Sequence, residues 1–371
     1  TMEDTPYATG PDAIPDKTGS ITNHKLCQDI TWERFNHRLR RLALNKAAGP
    51  DGIRNTTLWA LSGIAKQTLF EILRRLPSRG VPAAWRHSHT VPLYKGKNAD
   101  ATLLASYRPI ALMPCIYKLY TGILTDCLVE MAEEHHLLSE SQEGFRNNRR
   151  THRHILWLQG LIRDAHLSDQ PIRLLFIDFA NAFTTCPHSL LIPSLRRQGI
   201  PEDYLHALDN LYNPADGQKP TTSIQMPWGP TAPLEVARGC LQGDCLSPIL
   251  FSLFIQPLLD WLDNGDGYTP GLTHPRNSAK RATETPNTAT QDELIASLRG
   301  RTAARRAAGR RTGHANHASG AFADDLVLAT VTAAAMERQT AKVDAFCEWS
   351  GLATNNKKCA YTGWSPEGCN T

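Results

Sequence analysis

The 371 residues hold no Cys-x-x-Cys pair; their nine cysteines are scattered singly and are odd in number. That argues against a zinc module and a disulfide framework, and it points to a reducing compartment. Long apolar runs are missing too. The most apolar stretch, Cys245 to Leu262, is broken by Pro248, Gln256, Pro257 and Asp260, which rules out a membrane span there. No secretory pattern opens the chain, which starts on Thr1 and so reads as a piece of a longer intracellular protein, nuclear or cytoplasmic and not secreted. A strong charge of either sign is also absent, the net value being +4. Nine Lys/Arg against four acids lie between Gly265 and Ala318, which leaves the remainder near neutral. Global charge therefore gives no case for nucleic-acid binding, and only local basic clusters can.

What is present is an ordinary globular composition, 41% apolar, in a chain long enough for two or three packed subdomains. Residues 1–30 are rich in Pro, Gly, Asp and Thr and read as a leader with little structure. Gly49-Pro50-Asp51-Gly52 signals a turn, and it leads into a helical pattern through Leu58, Leu61, Ile64, Leu69, Ile72 and Leu73. A clearer helix follows Pro114, with Ile116, Leu119, Ile123, Cys127 and Met131 at helical spacing. Ile172 to Phe179 reads as a buried strand and Ser247 to Leu262 as a helix. The segment 265–318 has no sustained periodicity and reads as a flexible basic insertion.

Two sites stand out chemically. In GAFADDLVLA (320–329) two adjacent aspartates interrupt a strand-like run, and Asp178 ends the strand that runs through Leu174 to Ile177. Unpaired carboxylates in apolar surroundings are costly, and adjacent ones repel. Each alone fits a turn or a helix cap. If they converge, three carboxylates make an oxygen-only site suited to Mg²⁺, and two such ions can promote attack by a hydroxyl and departure of pyrophosphate. Nothing in the spacing proves convergence across the 146 residues between Asp178 and Asp324.

Seven blocks in order resemble the reverse transcriptase domain of non-LTR (LINE-type) retrotransposons. They are NKAAGPDGI (45–53), SYRPIAL (106–112) with YKL (117–119), SQEGFRNNRRT (141–151), FIDFANAF (176–183), QGDCLSPILF (242–251), AFADDLVL (321–328) and GLATNNKK (351–358). The resemblance implies an α+β, right-hand polymerase: a partly disordered leader over 1–44, fingers over 45–170, and a palm over 171–371 built on an antiparallel sheet backed by helices. The palm is expected to carry a fingers-side excursion at about 188–237 and the insertion at 265–318. It implies an RNA-directed DNA polymerase using an RNA template, a DNA primer and dNTPs, with two Mg²⁺ ions for which Mn²⁺ can substitute. Asp178, Asp324 and Asp325 are then the catalytic triad, with Asp178, Asp324 and the backbone carbonyl of Phe179 as metal ligands.

Around the nucleotide, the resemblance makes Phe183 a steric gate against a ribose 2′-hydroxyl; read alone, Phe183 is foremost a core residue. Lys95, or its neighbour Lys97, and Arg108 correspond to residues that hold the triphosphate. Gln242 and Gly243 match the block beside nucleotide and template, and Lys358, or Lys357, the late lysine near the pyrophosphate. Arg146, Arg149 and Arg150 are candidate template contacts, with a solvated basic face as the alternative. The chain departs from the pattern at Thr184, Leu241, Cys245 and Arg153. Only thirteen residues follow Lys358, so the thumb and the nuclease regions of the parent polyprotein are expected outside this stretch, with weak primer–template grip as the consequence. Two alternatives remain: a catalytically silent nucleic-acid-binding remnant, or a group II intron-like reverse transcriptase.

Overall fold

A computed structural model describes residues 6–7, 14–96, 100–271 and 316–366. The chain divides into two compact units, each assembled from separated segments. One comprises 1–15, 136–182 and 252–371; the other comprises 16–135 and 183–251. The strands, in chain order, are β1 (His87–Tyr94), β2 (Tyr107–Leu112), β3 (Ile172–Asp178), β4 (Thr221–Met226) and β5 (Gly229–Pro230). After them come β6 (Leu234–Glu235), β7 (Ser319–Phe322), β8 (Asp325–Thr330) and β9 (Ala360–Trp364).

The first unit is built on an antiparallel sheet in the order β7-β8-β3-β9. Strand residues alternate between faces, and one face is apolar through Ile172 and Leu174 of β3 with Val327 and Ala329 of β8. The helix Thr151–Ser168 lays Trp157, Leu161 and Ala165 on that face. Helix Ala333–Ser350 packs on β8 and β3 and joins Phe254 through Phe346 and Trp349, with ring centroids 5.3–6.2 Å apart. Buried Asp263, which ends helix Ser247–Asp263, accepts hydrogen bonds from the hydroxyls of Ser139, Ser141 and Ser319. That ties the 139–141 loop to β7. Such a buried carboxylate is tolerated because its oxygens are satisfied.

The second unit carries a mixed sheet in the order β2-β1-β4-β5, with β6 also on β4 and the β1–β4 pair parallel. The helical stripe expected after Gly52 is interrupted: Asn55–Trp59 and Gly63–Arg79 are separate helices, and Ile64 and Ile72 of that stripe are exposed. The helix after Pro114 spans Cys115–Glu134 and is buried over most of its length.

Three expectations need correction. The leader is not loose throughout: Ile21, Leu26, Ile30, Phe35 and Leu39 are buried, and Phe35 packs against Trp32 and Phe70. Turn-rich composition concealed a sparse set of apolar anchors. Secondly, residues 136–170, read as fingers, group with the unit that contains β3 and β8, and residues 183–251 group with the unit that contains β1 and β2. Thirdly, most of the basic insertion lies outside the described residues, but its flanks are core. Tyr268 is fully buried, donates its hydroxyl to Asp164 at 2.8 Å, and pairs its backbone with His317 and Ala329. Asp164 also accepts from the Gly271 amide at 2.7 Å. Replacing Tyr268 by Phe strips one donor from a buried carboxylate and should cost about 1–3 kcal/mol, read as a lower urea midpoint with an unchanged slope.

Candidate active site

The sheet of the first unit sets its acidic groups by register. Along β3 and β8 the facing pairs run Leu174–Ala329, Phe176–Val327 and then Asp178–Asp325. One face is thus apolar against the Thr151–Ser168 helix and ends in two opposed carboxylates. Directly opposite like charges destabilise a strand pair. Asp324 occupies the two-residue β7–β8 turn with Ala323, whose φ is +60°. Asp178 and Asp324 are half-buried and Asp325 is exposed. The Asp324 carboxyl is pushed above the usual range by burial and then by Asp325 and Asp178; the Asp325 carboxyl is pushed up by partial burial and then by Asp178.

Lys358 supplies a positive partner, its Nζ 3.2 and 3.3 Å from the two Asp178 oxygens. The loop that carries it is fastened to the strand end: the Asn355 amide donates to the Asp178 carbonyl, and the Ala180 amide to the Ala353 carbonyl, each at 2.7 Å. Lys358 is 66% exposed, and an exposed pair contributes only about 0.2–1 kcal/mol. That is too little to neutralise three clustered carboxylates. Oxygen-only donors, partial exposure and unrelieved negative charge together fit a divalent cation of the hard, oxygen-seeking kind. Phe179 is buried beside them.

The turn is strained, since alanine rarely takes a positive φ, and Gln142 holds it. Its buried side-chain amide donates to the Ala323 carbonyl (3.2 Å) and accepts from the Ala323 and Gly144 amides (2.9 and 2.8 Å). The Glu143 amide donates to the Ala321 carbonyl, and the Ala321 amide to the Ser141 carbonyl. A Cβ on Gly144 would lie 2.3 Å from the Ala323 nitrogen, so only glycine permits this approach. The SQEG stretch is therefore a brace for the acidic hairpin.

The arginines beyond it differ among themselves. Arg146 is buried and donates to the Ser139 carbonyl at 2.7 Å. Arg149 grips Glu140 with two 2.7 Å bonds and lies 3.5 Å from Glu143. Burial opposes ionisation of Glu140, yet the Arg149 hydrogen bonds hold its carboxyl below the usual range. Arg150 is exposed.

The remaining predicted residues belong to the second unit. Lys95 and Arg108 sit at the loop end of the β1–β2 hairpin, where Leu93 faces Arg108 and the Lys95 amide bonds the Ser106 carbonyl. The pleat puts both on one face as diagonal neighbours, and both are exposed; Lys97 lies outside the described residues. The Gln242 carbonyl accepts from the Ala111 amide at 2.7 Å. At Gly243, φ is +119° and a Cβ would stand 2.6 Å from the Ala111 carbonyl oxygen, so the residue must be glycine. Phe183 is half-buried, stacked on Phe251 with centroids 4.6 Å apart.

A family model described as reverse transcriptase (RNA-dependent DNA polymerase) matches residues 95–274. A Pol polyprotein of the type-1 retrotransposable element R2 from Nasonia vitripennis is 23% identical over 322 residues, 87% of this chain and 26% of that protein. A probable RNA-directed DNA polymerase from transposon BS of Drosophila melanogaster is 26% identical over 231 residues, 62% and 25% of the two chains. The RNA-directed DNA polymerase of the mobile element jockey, also from Drosophila melanogaster, is 26% identical over 61% and 24%. The chain contains a reverse transcriptase domain over residues 95–274, homologous to those of non-LTR retrotransposons. It spans about a quarter of the length of these relatives.

Reverse transcriptases work with divalent metal ions, in keeping with the carboxylate cluster. Two features of this reverse transcriptase domain were not singled out from sequence. One is the brace by Gln142, whose signal was only a polar residue two places before Gly144. The other is a cavity of about 490 Å³ in the second unit, lined by Arg38, Arg41, Lys46, Lys118, Gly243 and Cys245 among others. Its basic residues are dispersed over 80 positions of sequence, so no charge run marks them. Asp324→Asn removes one of three mutually repelling carboxylates and should raise the thermal midpoint in metal-free buffer by roughly 2–4 °C; added Mg²⁺ should then stabilise the parent protein more than the variant.

Proposed function

We propose that the domain catalyses RNA-directed DNA synthesis: attack of a primer 3′-hydroxyl on the α-phosphate of a dNTP, with pyrophosphate as leaving group, on an RNA template. The observation that carries this reading is the Asp178–Asp325 facing pair with Asp324 on the adjoining turn. The β7-β8-β3-β9 sheet is then the palm, and the unit bearing β1 and β2 supplies the fingers. Asp178, Asp324 and the Phe179 carbonyl would hold two Mg²⁺ ions (or Mn²⁺), which when bound supply charge neutralisation and a more acidic primer hydroxyl. Asp325 completes the triad and keeps the site anionic.

The protein's own groups do the positioning, which accounts for much of phosphoryl-transfer catalysis. Lys95 and Arg108 clamp the triphosphate, Arg by a two-pronged contact and Lys as a point charge. Lys358 contacts Asp178 in the resting protein and would hand a proton to the departing pyrophosphate oxygen. Phe183, held by its stack on Phe251, excludes a 2′-hydroxyl. Gln242 and Gly243 face nucleotide and template. Template grip falls to exposed Arg150 and to the Arg38–Lys46–Lys118 cavity, while Arg146 and Arg149 act by shaping the loop. Thumb and nuclease functions belong to other parts of the parent polyprotein.

Single-nucleotide addition to oligo(dT) on poly(rA), with dTTP and Mg²⁺, tests this without demanding processivity. The parent protein should extend the primer and Asp324→Asn should not. Phe183→Val should raise ribonucleotide relative to deoxynucleotide incorporation by roughly 10–100-fold. Equal extension by the parent and Asp324→Asn would contradict the catalytic reading and leave nucleic-acid binding alone.

A further inference from the structure

Away from the carboxylate hairpin, the second unit brings together two imidazoles and a carboxylate. Glu134 ends the helix Cys115–Glu134, His135 is its C-cap, and His24 precedes the short helix Leu26–Asp29. The donor atoms of His24, Glu134 and His135 all lie within 4.8 Å of one another. His24 Nε2 is 3.2 Å from one Glu134 oxygen, and His135 Nε2 is 3.9 Å from the other. The two rings meet edge-on, with centroids 5.4 Å apart at 72°.

We propose that His24, Glu134 and His135 form a binding site for Zn²⁺ or a chemically similar transition-metal ion. Tetrahedral Zn²⁺ with bonds near 2.0–2.1 Å needs donors separated by roughly 3.3 Å. The His24–Glu134 contact already has that spacing, and rotation of the His135 ring closes the third side. The donor set is two imidazole nitrogens with one carboxylate, which suits zinc, cobalt or nickel and not the all-oxygen preference of magnesium.

Two further observations distinguish this from a surface hydrogen-bond cluster. His135 Nε2 is shut off from solvent and has no hydrogen-bond partner, a cost that a metal–nitrogen bond removes. His24 is also oriented from behind: its Nδ1 is 3.3 Å from Asp29 Oδ2, which in turn accepts from the Tyr204 hydroxyl. A carboxylate on the far nitrogen fixes the tautomer that leaves Nε2 free to ligate. Asn23 donates to the Glu134 oxygen nearer His135 at 2.9 Å and steadies the carboxylate. The unsatisfied carbonyls at the helix C-terminus add attraction for a cation. Glu134 is half exposed, so a water molecule can complete the shell. A bound ion would fasten the segment before Leu26 to the far end of the Cys115–Glu134 helix. That role is independent of polymerase chemistry.

The test is Zn²⁺ binding measured against a chromophoric chelator, with excess Mg²⁺ present and in the Asp324→Asn background so that the carboxylate hairpin does not contribute. One Zn²⁺ per chain should bind, and it should raise the thermal midpoint. His24→Ala and His135→Ala should each abolish stoichiometric binding, while Asp29→Asn, which only positions His24, should weaken it roughly 10–100-fold. X-ray absorption of the zinc-loaded parent protein needs no variant to fold and should show nitrogen and oxygen neighbours without sulfur. No binding by the parent, binding unchanged in folded His24→Ala or His135→Ala, or a thiolate shell would each overturn the proposal.

Discussion

Six consecutive pairs hold β3 against β8, from Arg173–Thr330 to Asp178–Asp325, and everything at the acidic site depends on that register. Strand side chains alternate, so a slip of one residue would turn the whole set to the other face. Asp325 would then leave Asp178, and Val327 and Ala329 would leave the Trp157 core. The apolar pairs behind the carboxylates therefore fix where the carboxylates stand. Burial of Trp157, Leu161 and Leu174 is the driving force, and the electrostatic strain sits at the ends of the two inner strands, where the carboxylates are only partly buried or exposed.

A site of clustered negative charge needs a rigid frame, because its own contacts push it apart. The frame is mostly neutral. Gln142 satisfies both backbone groups of Ala323, the strained turn residue, and the Asp263–serine network anchors the loop that presents Gln142. On the other side the 351–358 loop is tied to the backbone of Asp178 and Ala180. Among the described residues, Lys358 meets the charge directly. This division suits a site whose neutralising groups arrive from solution.

Reading the sequence located the acidic hairpin, the strand ending at Asp178 and the helix after Pro114, because each has strong local periodicity or an anomalous charge. The family resemblance pairs Lys95 with Arg108, and both lie on the β1–β2 hairpin. What stayed illegible has a common physical cause: structure created by contacts remote in sequence. Tyr268 lies in a polar, glycine-rich stretch, and only its bond to Asp164, 104 positions away, makes it core. Gln142 and Ala323 are 181 apart. Arg146 reads as a surface base until its burial against the Ser139 carbonyl is visible. Leu26 and Phe35 are too sparse to show a period, yet they are fully buried.

The proposal for the acidic hairpin is that Asp178, Asp324 and Asp325 share cations drawn from solution. Anomalous scattering from Mn²⁺-soaked crystals addresses this without reference to activity. Manganese density should lie between Asp178 and Asp324 and be lost in Asp178→Asn crystals. Manganese bound only elsewhere, or the Asp178 carboxylate pointing away from Asp324 and Asp325 in the metal-soaked protein, would contradict it.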